Sequence, residues 1–333
     1  MRVLVTGDSG YIGSVLTSML LRAGHEVVGV DTEYFGDPSL SELGQHTRKD
    51  VRDIEEGDLH SVNAIVHLAA LSNDPMGEID PTLTYDINYY ATVRLAVLAK
   101  SVGVERFIFA SSCSVYGDLE GELVETSPLN PLTAYARSKT NSEEALLKMT
   151  APSFHPIILR NGTAYGMSPN MRLDLVVNTF VADAIVKKEI TMFGGGKHSR
   201  PIVHVGDIGR AIVAVLGAPK RAISGQIFNV LPVGENYSVK DIAEAVKTQT
   251  GCKIKLQDVP SSDVRSYRVN ASKIRSLVPT FRPIGNLYSG IKGLCFGLRD
   301  IDKERIEHYN YNRLKKLRYL IDSKQLDKEL KWT

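Results

Sequence analysis

Short apolar runs alternate with helical stretches along the first half of the chain. Arg2–Thr6 is a short apolar run that stops at Gly7, the pattern of a strand buried on both faces. Tyr11–Ala23 carries apolar residues at helical spacing and stops against Gly24. Glu26–Val30 predicts a second strand, ending at Asp31, and a third precedes Asp50-Val51. Asn63–His67 predicts another, running into Leu68-Ala69-Ala70. Thr82–Val102 has the period of one long helix that ends at Gly103. Arg106–Ala110 reads as a strand, Ala134–Met149 as a helix and Pro156–Arg160 as a strand. Strands alternating with helices predict βαβ units and a doubly wound parallel sheet, so the expected fold class is α/β.

Beyond about residue 166 the alternation loosens into Pro- and Gly-rich loops, such as Phe193-Gly-Gly-Gly-Lys-His-Ser-Arg-Pro201, with helices expected over Asp207–Leu216 and Ser238–Thr250. The expected division is a first domain over 1–166, with parts of 201–231 returning to it, a smaller substrate-binding region over 167–299, and a charged tail over 300–333. That tail is expected to be an exposed helix or a partly disordered segment. Composition narrows the class: 43% hydrophobic and 23% charged residues suit a soluble globular enzyme. A net charge of +2 leaves no footprint for nucleic acid. Cys113, Cys252 and Cys295 have neither metal-type spacing nor an even count, so a reducing compartment and no metal site are expected. With the first strand beginning at about residue 2, and no run near the roughly 20 apolar residues of a membrane span, the expectation is a cytoplasmic protein without a membrane partner.

Gly7, Gly10 and Gly13 fall between the first strand and the first helix. Glycine lets backbone turn sharply and approach a pyrophosphate, and the following helix offers free N–H groups and a positive dipole end. Asp31, at the end of the second strand, can accept from both hydroxyls of an adenosine ribose and would repel a 2′-phosphate, which favours NAD over NADP. Its alternative is an ordinary turn aspartate. Asp50 and Val51 can flank the adenine.

Tyr135 and Lys139 are four apart on one helix face. An ammonium beside a phenol, helped by the cofactor's positive ring, is expected to lower the phenol below its usual value of about 10 and suit it to acid–base work. Ser112, just beyond the strand Arg106–Ala110, is placed to hydrogen-bond the reacting oxygen.

Together these residues carry a resemblance. Thr6-Gly-Asp-Ser-Gly-Tyr-Ile-Gly13, His67-Leu-Ala-Ala70, Asp86-Ile-Asn88, Ser111-Ser-Cys-Ser-Val-Tyr-Gly117, Tyr135-Ala-Arg-Ser-Lys139, Leu159-Arg160 and His204-Val-Gly-Asp207 resemble the motifs of extended short-chain dehydrogenases/reductases. The chain is similar, over about residues 1–297, to the NAD-dependent nucleotide-sugar epimerase/dehydratase family, UDP-glucose 4-epimerase-like. The resemblance implies a Rossmann domain, NAD as cofactor, and Ser112, Tyr135 and Lys139 as the catalytic trio. It implies that Gly7, Gly10, Tyr11, Ile12 and Gly13 line the pyrophosphate, that Leu68, Ala69 and Ala70 pass under the cofactor near Asn88, and that Tyr165 is a further contact. In the sugar-nucleotide half it implies Thr163, Asn178 and Arg200, with Arg172 helping to close the site. Arg265 is a second phosphate candidate or a surface arginine. Ser72 and Asn73 contact the sugar or cap a loop. Relatives pair the two long helices into a four-helix dimer interface, so a homodimer is implied.

Dehydratases of that family carry Asp-Glu directly after the catalytic Ser/Thr; here those positions are Cys113 and Ser114. This departure favours epimerisation of a nucleotide sugar through a transient ketone. A reductase, a decarboxylase or an atypical dehydratase on the same scaffold is the alternative, and a non-catalytic dinucleotide-binding regulator a more distant one. Cys113 is either an added acid/base, its thiol near 8.5 when free, or a small buried residue beside the sheet.

Overall fold

The structure, a computed structural model, describes residues 1–35, 44–77, 79–257, 259 and 265–333. In chain order the strands are β1 (Arg2–Thr6), β2 (Glu26–Asp31), β3 (Gln45–Arg48), β4 (Ala64–His67), β5 (Arg106–Ser112), β6 (Glu122–Leu123) and β7 (His155–Asn161). They continue as β8 (Thr163–Tyr165), β9 (Glu189–Phe193), β10 (Ser199–His204), β11 (Gln226–Val230), β12 (Asn236–Ser238), β13 (Lys253–Gln257) and β14 (Arg268–Val269). Seven form one parallel sheet in the order β11-β7-β5-β4-β1-β2-β3. The order reverses at β1, which pairs with β2 on one side and β4 on the other. A crevice therefore opens beyond the carboxyl ends of β1 and β4, the place where such sheets bind ligands.

The principal helices are α1 (Gly13–Arg22), α2 (Pro81–Tyr85), α3 (Ala91–Ser101), α4 (Ala134–Lys148), α5 (Val176–Val186), α6 (Val205–Gly217), α7 (Val239–Thr250), α8 (Leu287–Gly297) and α9 (Arg313–Asp322). Strand residues alternate between the two faces of the sheet, and both faces are covered. Val3, Val5 and Ile108 pack with Leu16, Leu20, Ile208 and Ile212 of α1 and α6. Leu4, Ile65, Phe107 and Phe109 pack with Leu95 and Leu146 of α3 and α4. In the second half, Val177, Val181, Ile242, Val246, Leu287 and Ile291 join α5, α7 and α8 in their own cluster. Among the described residues no helix is long and apolar enough to cross a membrane.

Two expectations change. The single helix expected over Thr82–Val102 is α2, a π-helical stretch over Asp86–Tyr90, and α3. The π-turn lies at buried Asn88, whose side chain accepts from Leu71 N (2.8 Å) and donates to Leu71 O (3.2 Å). The tail is not an exposed segment. Leu317 and Leu320 of α9, with Leu326 and Leu330, bury against Tyr34, Leu71, Met76 and Ile87. Its many charges hid an apolar stripe of only a few leucines.

Candidate active site

A cavity of about 1100 Å³ occupies the crevice and extends between the sheet and the second half of the chain. The glycine loop forms its floor. Gly7 N donates to Val30 O (2.7 Å) and Gly10 N to Gly7 O (3.0 Å). Gly7 has a φ of +77°, and a Cβ there would lie 2.9 Å from Ala69 N. A side chain at Gly13 would lie 2.0 Å from Gly7 O. Both positions therefore require glycine, and α1 starts with its positive end at the cavity. Tyr11 and Ile12 line the same floor, and Leu68, Ala69 and Ala70 form the adjoining wall.

Asp31 lines the far end. Its carboxylate accepts from Glu33 N (2.8 Å) and Ser9 N (3.2 Å). Desolvation pushes its pKa up to about 6, so this carboxylate gains from further donors such as a pair of ribose hydroxyls. Asp8 and Glu33 flank it, both hydrogen-bonded to His46 (2.8 and 2.9 Å). Burial opposes the charge on His46, but the two carboxylates outweigh it and raise its pKa. These carboxylates disfavour a 2′-phosphate. Asp50 and Val51 also face the cavity. The Asp50 carboxylate is already taken by Arg52 (2.7 Å), which overcomes the penalty of burial and lowers its pKa.

Ser112, Tyr135 and Lys139, the trio expected to be catalytic, come together where β5 ends and α4 begins. Thr133 caps α4 by accepting from Ala136 N (3.1 Å), which sets Tyr135 in the first turn. The Ser112 side chain accepts from Ser114 N (3.1 Å), lines the cavity with Tyr135 and favours the tyrosine's ionised form. Lys139 Nζ donates to Ala110 O (2.8 Å) and lies 5.7 Å from the centre of the Tyr135 ring. In the protein alone the expected lowering of Tyr135 is absent. Desolvation, with the charge of Asp74 next, raises it to about 12, while desolvation lowers Lys139 to about 7. Burial disfavours both charged forms, so the phenolate needs added positive charge.

Two buried networks hold this geometry. Ser111 donates to Glu143, which takes a forked contact from Arg160 Nε (3.1 Å) and Nη2 (2.6 Å). Glu143 stands one turn beyond Lys139 and favours its charge. His67 shares hydrogen bonds with Thr6 (2.6 Å) and Thr92 (2.8 Å), and burial pushes its pKa down to about 3. Thr6 in turn accepts from Ala69 N (3.3 Å), fixing the Leu68–Ala70 wall. The sequence signals were available in part: Leu159-Arg160 is one of the recurring motifs, and Glu143 follows Lys139 at helical spacing.

The second half contributes a basic wall. Arg172, Arg200, Arg265 and Thr163 line the cavity. Arg172 pairs with Asp174 (2.9 Å) and donates to Ser72 Oγ (3.2 Å). Asn73 donates to Asp174 (3.2 Å) and caps the turn Asp74–Gly77 by accepting from Met76 N (2.9 Å). Arg265 pairs with Asp74 (2.6 Å), and Arg200 donates to Ser199 O (2.9 Å) and to the carbonyl of Arg265. Arg265 is thus no surface arginine. Asp74 and Asp174, which orient two of these cations, were missed in the sequence because isolated aspartates carry no spacing signal.

Four expected site residues stand behind the walls rather than in them. Asn88 supports the Leu71 loop. Asn178, fully buried, donates to Arg172 O (2.9 Å) and accepts from Gly166 N (3.0 Å). Tyr165 packs within the core of the second half. Cys113 is buried and its thiol donates to Arg160 O (3.3 Å); desolvation pushes its pKa up, which suits a space-filling residue and not an acid/base.

Residues 3–230 match the model of the NAD dependent epimerase/dehydratase family. The chain is 30% identical over 313 residues to a protein of Bacillus subtilis (strain 168) described as an uncharacterized UDP-glucose epimerase, YtcB; the match spans 87% of this chain and 96% of that one. It is 32% identical over 259 residues to UDP-glucuronic acid decarboxylase 1 of Arabidopsis thaliana, spanning 74% of this chain and 58% of that protein. Among solved structures, MoeE5 in complex with UDP-glucuronic acid and NAD superposes with a TM-score of 0.80 at 27% identity, covering 90% of this chain and all of that one.

Proposed function

The chain belongs to the NAD dependent epimerase/dehydratase family, and on that premise we propose that it epimerises a nucleoside-diphosphate sugar through a transient ketone. The observation that carries this reading is the acid–base inventory around Tyr135. Directly after Ser112 stand Cys113, buried against Arg160 O, and Ser114, neither a carboxyl. The carboxylate that acts most strongly on Tyr135 is Asp74, and it is held by Arg265 and Thr133. Expelling water from the sugar needs a further acid and base beside the ketone; for proton transfer, reversible oxidation of one alcohol by a hydride acceptor needs only Tyr135.

NAD fits the residues present: Asp31 offers a carboxylate that gains from further donors, the glycine loop a floor where Gly7 and Gly13 admit no side chain, and α1 a positive end. When bound, it supplies a hydride acceptor and donor and a positive charge beside the phenol. Tyr135 Oη takes the proton of the alcohol being oxidised and returns it after the ketone has turned. Ser112 hydrogen-bonds that same oxygen, and Lys139 stabilises the phenolate from below. Arg172, Arg200 and Arg265 anchor the diphosphate, which leaves the sugar free to present its other face. UDP-hexoses and UDP-hexuronates are the first substrates to try. A homodimer through α3 and α4 belongs to the same reading; Tyr90 and Val97 are 61% and 54% exposed at that face.

Mass spectrometry and NMR on products from UDP-, dTDP-, GDP- and CDP-sugars test the proposal. A product of unchanged mass with altered ring couplings supports it. Loss of carbon dioxide would instead favour decarboxylation, the second reading that the Arabidopsis relative supports.

A further inference from the structure

Arg313 is 2% exposed yet faces the cavity. It opens α9, in the carboxy-terminal segment that the proposed mechanism does not use. Its guanidinium lies 4.5 Å over the Phe35 ring and donates to Phe35 O (3.3 Å). No carboxylate among the described residues lies within ion-pair distance of it: Asp174 is paired with Arg172 and meets only the backbone N–H of Arg313 (3.3 Å). Desolvation therefore pulls its pKa down to about 9, with the charge of Arg172 next. A buried cation bordering a cavity, with no ion-pair partner among the described residues, is poised for an anionic ligand.

Its neighbours locate that ligand. Arg313 bonds Phe35, four residues past Asp31, and its backbone N–H meets Asp174, the partner of Arg172. Arg172 lines the same cavity as Tyr135, and on the proposed reading Asp31 takes the adenosine ribose at its other end. What joins those two ends in a dinucleotide is its diphosphate. We propose that Arg313 is a cofactor-holding residue whose guanidinium pairs with the NAD diphosphate.

The rest of the segment fixes Arg313 in place. Tyr34 donates to Leu330 O, Trp332 Nε1 donates to Thr32 O (2.6 Å), and Arg52 donates to Glu329 O (2.9 Å). Lys331 pairs with Asp53 (2.5 Å). These contacts tie the carboxy-terminal segment to the loop that follows Asp31 and to the turn Val51–Asp53. The pairing is independent of which reaction the sugar undergoes.

The test is Arg313→Gln in the full chain, checked for folding by circular dichroism and melting. Titrations use NAD, ADP-ribose, adenosine and UDP. A charged hydrogen bond of this kind predicts about 10- to 100-fold weaker binding of NAD and ADP-ribose. Adenosine and UDP, which lack the cofactor's diphosphate, should change less than about twofold. Arg313→Lys should recover part of the loss. Unchanged NAD affinity, an equal loss for adenosine, or a loss confined to UDP would each overturn the assignment. If the glutamine variant does not fold, hydrogen exchange on the unaltered protein decides. NAD should slow exchange at the amides of residues 313–316 more than adenosine does, and equal protection by the two would overturn it.

Discussion

Replacing Lys139 with Met removes a charge 5.7 Å from the Tyr135 ring without removing the packing of its stem. Through an effective dielectric of about 20, a unit charge at that distance is worth about 3 kcal/mol, or about two pH units on the phenol. Tyr135 starts from about 12, so the phenolate at neutral pH depends on each cation that reaches it. The charge itself is conditional, because burial brings Lys139 down to about 7. Below that value the ammonium is present and helps Tyr135 ionise; above it the help fades. The wild-type turnover should therefore exceed that of Lys139→Met by about 100-fold near pH 6, and the ratio should shrink as pH rises through 7. The assay is initial rate against pH with NAD and sugar nucleotide both saturating, so that weakened cofactor binding does not enter. A ratio that stays constant across the range, or a variant within about threefold of wild type near pH 6, would refute the electrostatic role given to Lys139.

Three further outcomes are expected. Tyr135→Phe should abolish turnover while an NAD titration stays within about twofold of wild type; normal activity in that variant would sink the proposed mechanism. Asp31 has a folded pKa raised to about 6, so its contribution to stability is present below the unfolded value near 4 and lost as pH rises through 6. Asp31→Asn without NAD should accordingly be about 2–3 kcal/mol more stable than wild type near pH 7 and gain nothing near pH 4, as read by urea unfolding; an equal gain at both would contradict this. Glu143→Gln leaves the buried Arg160 without its counter-charge and should cost about 3–5 kcal/mol in the same assay, and a cost below about 1 kcal/mol would show that the pair does little for the fold.

The sheet was legible because every central strand is a continuous apolar run, and a strand buried on both faces has no other way to look. The floor and the catalytic trio were legible for a different reason: the glycines, Asp31, Tyr135 and Lys139 lie within short stretches whose spacing is itself the geometry. What stayed hidden depends on contacts far apart in sequence. Asp74 meets Arg265 across 191 positions, and no local pattern announces such a pair. Asn88 lies in a matching motif, and Tyr165 and Asn178 were implied by the resemblance, yet all three serve the walls from behind. The tail failed for a compositional reason, since Leu317, Leu320, Leu326 and Leu330 are a thin stripe among charges. The upward shift of Tyr135 in the protein alone was not legible, because its pairing with Lys139 shows in the sequence while the burial of both does not.

The most direct test of the central claim is to run the reaction in D₂O and follow product mass and ring protons. If one alcohol is oxidised with Tyr135 taking its proton, and the same hydride returns, the product carries the inverted centre, keeps the substrate's mass at every carbon-bound position, and gains no deuterium there. Deuterium on the inverted carbon, or loss of water or carbon dioxide from the sugar, would contradict epimerisation by internal hydride return.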